Sequence, residues 1–122
     1  MTALKSYQEL EVWRKSIDLA EKVYLCSQSF PQEERYGLTS QLRRAVISIA
    51  ANIAEGAARS GTKEFLQFLS TASGSLAETE TFLILAHRLK MLPEQELQTL
   101  MADTVTISKM IGGLKRSLRS KL

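Results

Sequence analysis

Apolar residues recur at alternating intervals of three and four positions along most of this chain of 122 residues. Because an α-helix completes a turn every 3.6 residues, such spacing places apolar side chains on one face of a helix. The two clearest series are Phe65, Leu69, Ala72, Leu76, Thr79, Leu83 and Ala86, and Leu97, Leu100, Thr104, Ile107, Ile111, Leu114 and Leu118. No segment alternates with the period of two that is typical of a strand. The spacing therefore predicts an all-α protein.

Three breaks divide this pattern into four helical segments. Pro31 ends the first segment, because the residue before a proline avoids the α region. Ser60-Gly61-Thr62 separates the second from the third, and Pro93 opens the fourth, since the first position of a helix tolerates proline. Short connections make successive helices antiparallel, so we predict an up-down-up-down four-helix bundle. The predicted domain spans residues 1–122, with helices at about 7–29, 38–58, 62–90 and 94–119.

The first segment carries two apolar stripes on nearly opposite sides. One stripe has the spacing of a core-facing helix. It consists of Leu10, Trp13, Ile17, Ala20 and Tyr24. The other consists of Val12, Leu19 and Val23, and we predict that it faces another subunit. Just upstream, Ser6 and Glu9 have the spacing of a capping box.

The second segment is too apolar for a helix of an isolated bundle. Its polar residues occupy an arc of only about 80°, whereas a bundle helix exposes about half of its circumference to water. Because one subunit cannot bury so much apolar surface, we predict a homo-oligomer; the alternative is a monomer with an unusually alanine-rich surface. The polar residues fit an interface, a buried network, a solvated edge or a ligand contact. The residues assigned to the oligomer interface or a buried polar network are Arg44, Ser48, Asn52, Glu55, Ala50, Ala54, Ala57, Val12, Leu19 and Val23.

Two adjacent glycines, Gly112 and Gly113, lie inside the fourth segment. Together they destabilise a helix by about 2 kcal/mol relative to alanine. We predict that a neighbouring backbone approaches the helix closely at this point, and a frayed helix end is the alternative.

The chain offers few residues for catalysis or metal binding. It has one histidine, His87, and Ile84 stands where the Glu-x-x-His motif of bundle metal sites needs a glutamate. The single cysteine, Cys26, has no histidine near it in the sequence, and Ser73-Gly74-Ser75 lacks the glycine spacing of a nucleophile elbow. We therefore predict a non-enzymatic protein without a metal ion, cofactor or small-molecule substrate.

We expect the protein to be cytoplasmic. A lone cysteine permits no intrachain disulfide and suits a reducing compartment. No apolar run reaches the ~18 residues of a membrane span, and the first residues lack the apolar core of a signal peptide.

The chain is mildly basic, with a formal charge of +3. Positive charge collects towards the C-terminus, where no acidic residue follows Asp103. Cations at a helix C-terminus stabilise the helix dipole, which is one interpretation. A surface that binds nucleic-acid phosphates is the other. Its candidate residues are Arg43, Arg59, Lys63, Lys115, Arg116, Arg119 and Lys121.

Residues 41–56, QLRRAVISIAANIAEG, closely resemble the hallmark of the four helix bundle protein family, also called the 23S rRNA intervening-sequence protein family. Further matches are Leu10-x-x-Trp13, Phe30-Pro31 with Glu34, Gly37-Leu38-Thr39, Phe65-x-x-Phe68-Leu69, and Ala72-x-Gly74-Ser75-Leu76 with Glu78. The resemblance covers nearly the whole chain. One departure is Ala50, where relatives often have proline.

This resemblance implies a cytosolic bacterial protein that assembles four-helix subunits into a ring, with five subunits as the expected number. Members are encoded within insertions in ribosomal RNA genes or as free-standing genes. A related group looks like the accessory protein of diversity-generating retroelements, which works with a reverse transcriptase and its RNA. The resemblance thus suggests association with nucleic acid, and a ring of five would carry about +15.

Two functions follow as expectations. The first is an oligomeric adaptor that binds RNA or DNA through basic surface residues. Its contacts should be tolerant of sequence, because aromatic residues make up only 7% of the chain and no stacking platform is evident. The alternative is a protein-interaction scaffold without nucleic-acid binding, on which the same basic residues only keep the surface soluble.

Overall fold

A computed structural model of the protein describes residues 6–122. Residues 1–5 of the predicted domain lie outside this range. Residues 6–122 contain four α-helices, two short 3₁₀ helices and no strand, which confirms the all-α, four-helix class. The α-helices are α1 Glu11–Ser27, α2 Leu38–Ala58, α3 Thr62–Arg88 and α4 Glu94–Arg119, and the 3₁₀ helices are Tyr7–Glu9 and Gln32–Glu34.

The four helices pack side by side as an antiparallel bundle. Each helix contacts its neighbours in the sequence, α4 closes against α1, and the diagonal pairs make no close backbone approach. Two contacts along each helix pair show that neighbours run in opposite directions. Ser48 of α2 lies against Ser75 of α3, whereas Gly56, later in α2, lies against Phe68, earlier in α3. Likewise Thr104 of α4 bonds to Glu80 of α3, whereas Glu94, earlier in α4, pairs with His87, later in α3. The bundle therefore has two ends, each formed by helix termini of alternating polarity.

Helices α3 and α4 bury the faces that their apolar spacing predicts. Nearly every member of the two series is buried, with Phe65 and Leu114 half-buried at the edges. Thr79 and Thr104 are also buried, because their hydroxyls donate to Ser75 O and to Glu80 Oε2. A buried threonine in a helix is stable when its hydroxyl is paired in this way.

The first helix begins later and ends earlier than predicted. Residues 7–9 form a 3₁₀ turn, and Ser6 Oγ accepts a hydrogen bond of 3.0 Å from the backbone N–H of Gln8. Ser6 thus caps this turn, and α1 begins at Glu11 without a capping box.

At the end of α3, Lys90 adopts a positive φ of 64°, which stops the helix before the predicted residue 90.

The buried face of α1 is centred on the stripe predicted to face another subunit, and Leu10, Trp13 and Ala20 of the predicted core stripe are partly buried beside it. Val12, Leu19 and Val23 lie in the core of the subunit, so they are not available to an oligomer interface. Ile17 is 41% exposed and belongs to the outer face together with Tyr24. The error has a physical cause: two serines interrupt the true core stripe and made it look weak. Their hydroxyls donate to backbone carbonyls of their own helix, Ser16 to Val12 and Ser27 to Tyr24, which satisfies them without solvent.

Helix α2 packs very closely on α3 and leaves an apolar outer stripe. A Cβ added at Gly56 would lie 2.7 Å from Phe68 Cβ, so only glycine fits there. Ala50, assigned from the sequence to the interface or network, is buried in the subunit core instead. On the outer side, Ile47 is 46% exposed and Ala51 is exposed. The subunit buries every large apolar residue of α2 except Ile47, so the prediction that one subunit cannot bury this surface is wrong for most of the helix and holds only for a narrow outer stripe.

The glycine pair of α4 does not admit a neighbouring backbone within the subunit. Apart from the adjacent residues and the backbone of α4 itself, the described residues 6–122 place only the side chain of Arg116 within 4 Å of a Cβ added at Gly112 or Gly113. The predicted close approach is therefore wrong for the subunit on its own. The frayed end is also not seen, since α4 continues to Arg119.

Candidate nucleic-acid interface

The antiparallel topology brings six of the seven predicted phosphate-binding residues to one end of the bundle. The C-termini of α2 and α4 and the N-terminus of α3 lie together at this end of the bundle. The six cations come from segments that are more than 50 residues apart in the sequence. We call this group the basic end, and it consists of Arg59, Lys63, Lys115, Arg116, Arg119 and Lys121.

Most of the basic end is accessible positive charge. Lys63, Arg119 and Lys121 are exposed, and none of them forms an ion pair within the described residues 6–122. Arg59 differs, because its guanidinium lies 2.9 Å from Glu55 Oε2 and 3.8 Å from Glu64 Oε2. It is partly neutralised and contributes less to the attraction of an anion.

The guanidinium of Arg116 lies beside the glycine pair that precedes it. Its guanidinium folds back along α4, and added Cβ atoms at Gly112 and Gly113 would lie 3.6 and 3.7 Å from its terminal nitrogens. The absence of side chains at these positions leaves open space around the charged group. Only the spacing of three and four residues between the glycines and Arg116 indicates this arrangement in the sequence.

Arg43, the seventh predicted residue, lies at the opposite end of the bundle. Its Nε donates to Ser27 Oγ at 2.8 Å, and Nη2 donates to Tyr24 O at 3.3 Å. The guanidinium carbon lies 4.7 Å from the centre of the Tyr24 ring. Arg43 therefore holds α1 and α2 together and does not belong to the basic end.

The polar stripe of α2 forms a small network with α3. Ser48 Oγ lies 2.8 Å from Ser75 Oγ, and Asn52 Nδ2 donates to Ser48 O at 2.8 Å and to Ser48 Oγ at 2.9 Å. Glu55 pairs with Arg59 instead, and Arg44 has no hydrogen-bond or ion-pair partner among residues 6–122. Ser48 and Asn52 are thus structural, whereas Arg44 is available. Ala54 and Ala57 are half-buried.

Three further titratable groups, Cys26, Lys22 and His87, are buried or have partners within the subunit. The Cys26 thiol lies in an apolar hollow of about 700 Å³ between α1 and α4. Burial, reinforced by the negative charge of Glu96, raises the pKa of Cys26 to about 11. The hydrogen bond and charge of Asp103, 2.8 Å away, raise the pKa of Lys22. His87 Nδ1 lies 2.9 Å from Leu92 O, and Nε2 lies 3.1 Å from Glu94 Oε1.

Within the described part of the chain, no three His, Cys, Asp or Glu side chains cluster as metal ligands would. No helix there has the length and apolar character to cross a membrane.

Comparison with known proteins relates this chain to one family through both its structure and its sequence. One solved structure matches this chain with a TM-score of 0.77 and 25% sequence identity, and the match covers 85% of this chain and 97% of the chain in that structure. It is described as a protein with unknown function from the S23 ribosomal protein family of Bacteroides thetaiotaomicron VPI-5482. None of the curated proteins matches the chain. The family model of the 23S rRNA-intervening sequence proteins matches residues 8–113, and the chain belongs to that family.

Proposed function

We propose that this protein is a non-enzymatic, oligomeric adaptor that binds RNA or DNA through phosphate contacts at its basic end. The observation that carries the proposal is the convergence of six cations from distant segments on one end of the bundle. Lysine and arginine side chains that neutralise phosphates release counterions from the nucleic acid, which gives affinity without sequence preference.

Lys63 favours this function over a purely structural role for the cations. Arg116 and Arg119 lie in the last turn of α4, where positive charge stabilises the helix dipole. Lys63 lies in the first turn of α3, where the dipole repels a cation. The helix dipole therefore cannot explain why Lys63 joins the others, whereas an anionic ligand that spans both termini does.

The outer apolar surface supports an oligomer of these subunits. Ile17 on α1 and Ile47 on α2 expose more than a third of their surface. Helical spacing places Ala51 beside them on the outer side of α2. A second copy that covers this surface would remove it from water. The ring of five that the family resemblance implies would gather five basic ends in a cytoplasmic assembly of about +15.

A titration with single-stranded RNA at two salt concentrations tests the proposal. Arg116→Gln/Arg119→Gln should weaken binding by about tenfold or more at low salt and flatten the dependence of affinity on salt. Arg88→Gln/Lys90→Gln is the matched control, because it removes two exposed cations from the opposite end. Equal effects of the two variants, or affinity independent of salt, would contradict the proposal.

A protein-interaction scaffold is the second candidate. Helix α3 exposes Ile84, Leu85 and Leu89 near its C-terminus, and such apolar side chains suit a protein partner. This function predicts that one protein copurifies in a defined ratio from a nuclease-treated lysate. It also predicts that Leu85→Ser/Leu89→Ser releases that protein, while the Arg116→Gln/Arg119→Gln variant retains it.

A further inference from the structure

A second cationic site lies at the end of the bundle opposite the basic end. It is a recess of about 510 Å³, a volume typical of small-ligand clefts. Tyr24 of α1, the turn before α2 and the first turns of α2 form its walls. We call it the arginine–tyrosine recess, and the residues that matter here are Tyr24, Arg35, Tyr36, Thr39, Arg43 and Arg44.

The recess concentrates three guanidinium groups without a neighbouring acid. No carboxylate of the described residues lines it or the smaller hollow that adjoins it through Arg35, Thr39 and Arg43. The carboxylate of Glu34, just before Arg35 in the sequence, is already engaged, because its Oε1 accepts a hydrogen bond of 2.9 Å from the backbone N–H of Leu38. Three like charges that share one recess repel each other unless an anion lies between them.

Two of the three guanidinium groups are oriented in advance. Arg43 is held by Ser27 and by the Tyr24 ring, as described above. The guanidinium carbon of Arg35 lies 5.4 Å from the centre of the Tyr36 ring. Arg44 is exposed and has no partner among residues 6–122. Oriented guanidinium groups suit bidentate contacts to phosphate oxygens, because little conformational freedom is lost on binding.

Thr39 carries a buried hydroxyl beneath the wall of the recess. This residue is only 7% exposed, and its Oγ1 is a buried oxygen without a hydrogen-bond partner in the described chain. A buried hydroxyl that makes no hydrogen bond is unfavourable. Thr39 forms part of the wall of both the recess and the adjoining hollow, but its Oγ1 is closed off from both, so the case for a ligand rests on the guanidinium groups and Tyr36.

Tyr36 provides the stacking surface that the sequence did not reveal. Its side chain is 86% exposed, which makes it the most exposed large apolar residue described. Arg35 packs against the ring and supports it. An exposed ring beside a phosphate-sized cluster of guanidinium groups matches the two parts of a nucleotide, a base and a phosphate.

We propose that the arginine–tyrosine recess binds one nucleotide unit, with the phosphate between Arg35, Arg43 and Arg44 and the base stacked on Tyr36. This inference deepens the proposed function, since the nucleotide can belong to a bound single strand. The same chemistry would also bind a free nucleotide. The recess reads an unpaired base, whereas the basic end attracts the backbone.

Titrations with a single-stranded RNA oligonucleotide and with AMP separate these sources. Tyr36→Ala should weaken binding of the RNA by about 5- to 100-fold with little change in salt dependence. Tyr36→Phe should retain the affinity, because it keeps the ring. Arg44→Gln should weaken binding and reduce the salt slope by about 1, whereas the control Arg88→Gln should not. Both test positions are exposed, and circular dichroism should show the same helix content in every variant.

The outcomes distinguish the recess from the basic end. If Tyr36→Ala and Arg44→Gln bind RNA like the unmodified protein while Arg116→Gln/Arg119→Gln is impaired, the recess is not a site and the proposed function survives. If AMP binds and responds to both recess variants but RNA does not bind, the recess is a nucleotide site and the adaptor function is wrong. If neither the RNA nor AMP binds, both the recess site and the proposed function are wrong.

Discussion

The two ends of the bundle hold positive charge in different ways. At the basic end, Lys63 and Arg119 are long, exposed side chains at helix termini without ion-pair partners among residues 6–122. At the other end, Arg43 is fixed by a serine, a backbone carbonyl and a tyrosine ring. The first arrangement attracts phosphates and tolerates change, whereas the second contributes to the fold and presents a defined geometry. Substitutions should therefore separate binding from stability at one end and couple them at the other.

The largest expected difference between the two ends is in the reactivity of a cysteine thiol placed at each of them. Cys26 lies towards the recess end, and burial raises its pKa from 9.0 to about 11. At pH 8 its reactive thiolate fraction is then roughly 100-fold smaller than that of an unperturbed thiol. A Cys26→Ser/Ser120→Cys variant supplies an exposed comparison at the basic end.

Alkylation by iodoacetamide measures this contrast. Both rates rise with pH, but the Ser120→Cys thiol should level off above pH 9, whereas Cys26 should continue to gain reactivity towards pH 11. Equal rates at pH 8 would show that Cys26 is not buried as described.

The packing that supports the basic end should be sensitive to a single methyl group. Gly56→Ala places a Cβ 2.7 Å from Phe68 Cβ, so we expect a loss of about 1–3 kcal/mol in the free energy of unfolding. Gly74→Ala is the matched control, because no atom lies within 4 Å of its added Cβ. That variant should gain about 0.5–1 kcal/mol. Chemical denaturation measures both, and a gain in both variants would refute the close approach of α2 and α3.

Arg43 should contribute more to stability than a cation of the basic end. Arg43→Gln removes the guanidinium that donates to Ser27 and stacks on Tyr24, and we expect a loss of about 1–2 kcal/mol. Arg119→Gln should change the free energy of unfolding by no more than about 0.5 kcal/mol. Urea denaturation of the two variants compares the ends directly. The contrast between them fails if both variants lose the same amount.

The smallest expected effect is a gain in stability at Gly112. Alanine there places a Cβ 3.6 Å from Arg116 Nη1, an ordinary contact, and removes the flexibility of glycine. The free energy of unfolding should rise by about 0.5–1 kcal/mol. A loss of stability, measured by thermal denaturation together with light scattering, would indicate that a second copy packs against this glycine.

The sequence predicted most of the fold because α3 and α4 carry long series with helical spacing, in which a single threonine each, Thr79 and Thr104, replaces an apolar residue. Helices α2 and α4 have the same bounds as predicted. The core face of α1 was not predicted correctly, because Ser16 and Ser27 lie on it and donate their hydroxyls to backbone carbonyls of the same helix. Apolar counting cannot detect a polar side chain that supplies its own hydrogen bond.

The candidate sites were predictable to different degrees. Antiparallel topology follows from short connections, so the sequence could assign the basic end apart from Arg43. The arginine–tyrosine recess depends on Tyr24 from α1 and Tyr36 from the turn before α2. Single aromatic residues carry no periodic signal, and their approach to Arg43 and Arg35 appears only after the chain has folded.

Photo-crosslinking of a single-stranded RNA that contains 4-thiouridine, followed by mass spectrometry, tests the central claim most directly. Crosslinked peptides should come from the basic end, at Lys115–Lys121 and around Lys63, and a further crosslink around Tyr36 is expected where a base stacks in the recess. Their yield should fall as salt rises, because phosphate contacts carry the binding. Crosslinks confined to the middle of the bundle, or none from 115–121 at low salt, would contradict the assignment of nucleic-acid binding to this end.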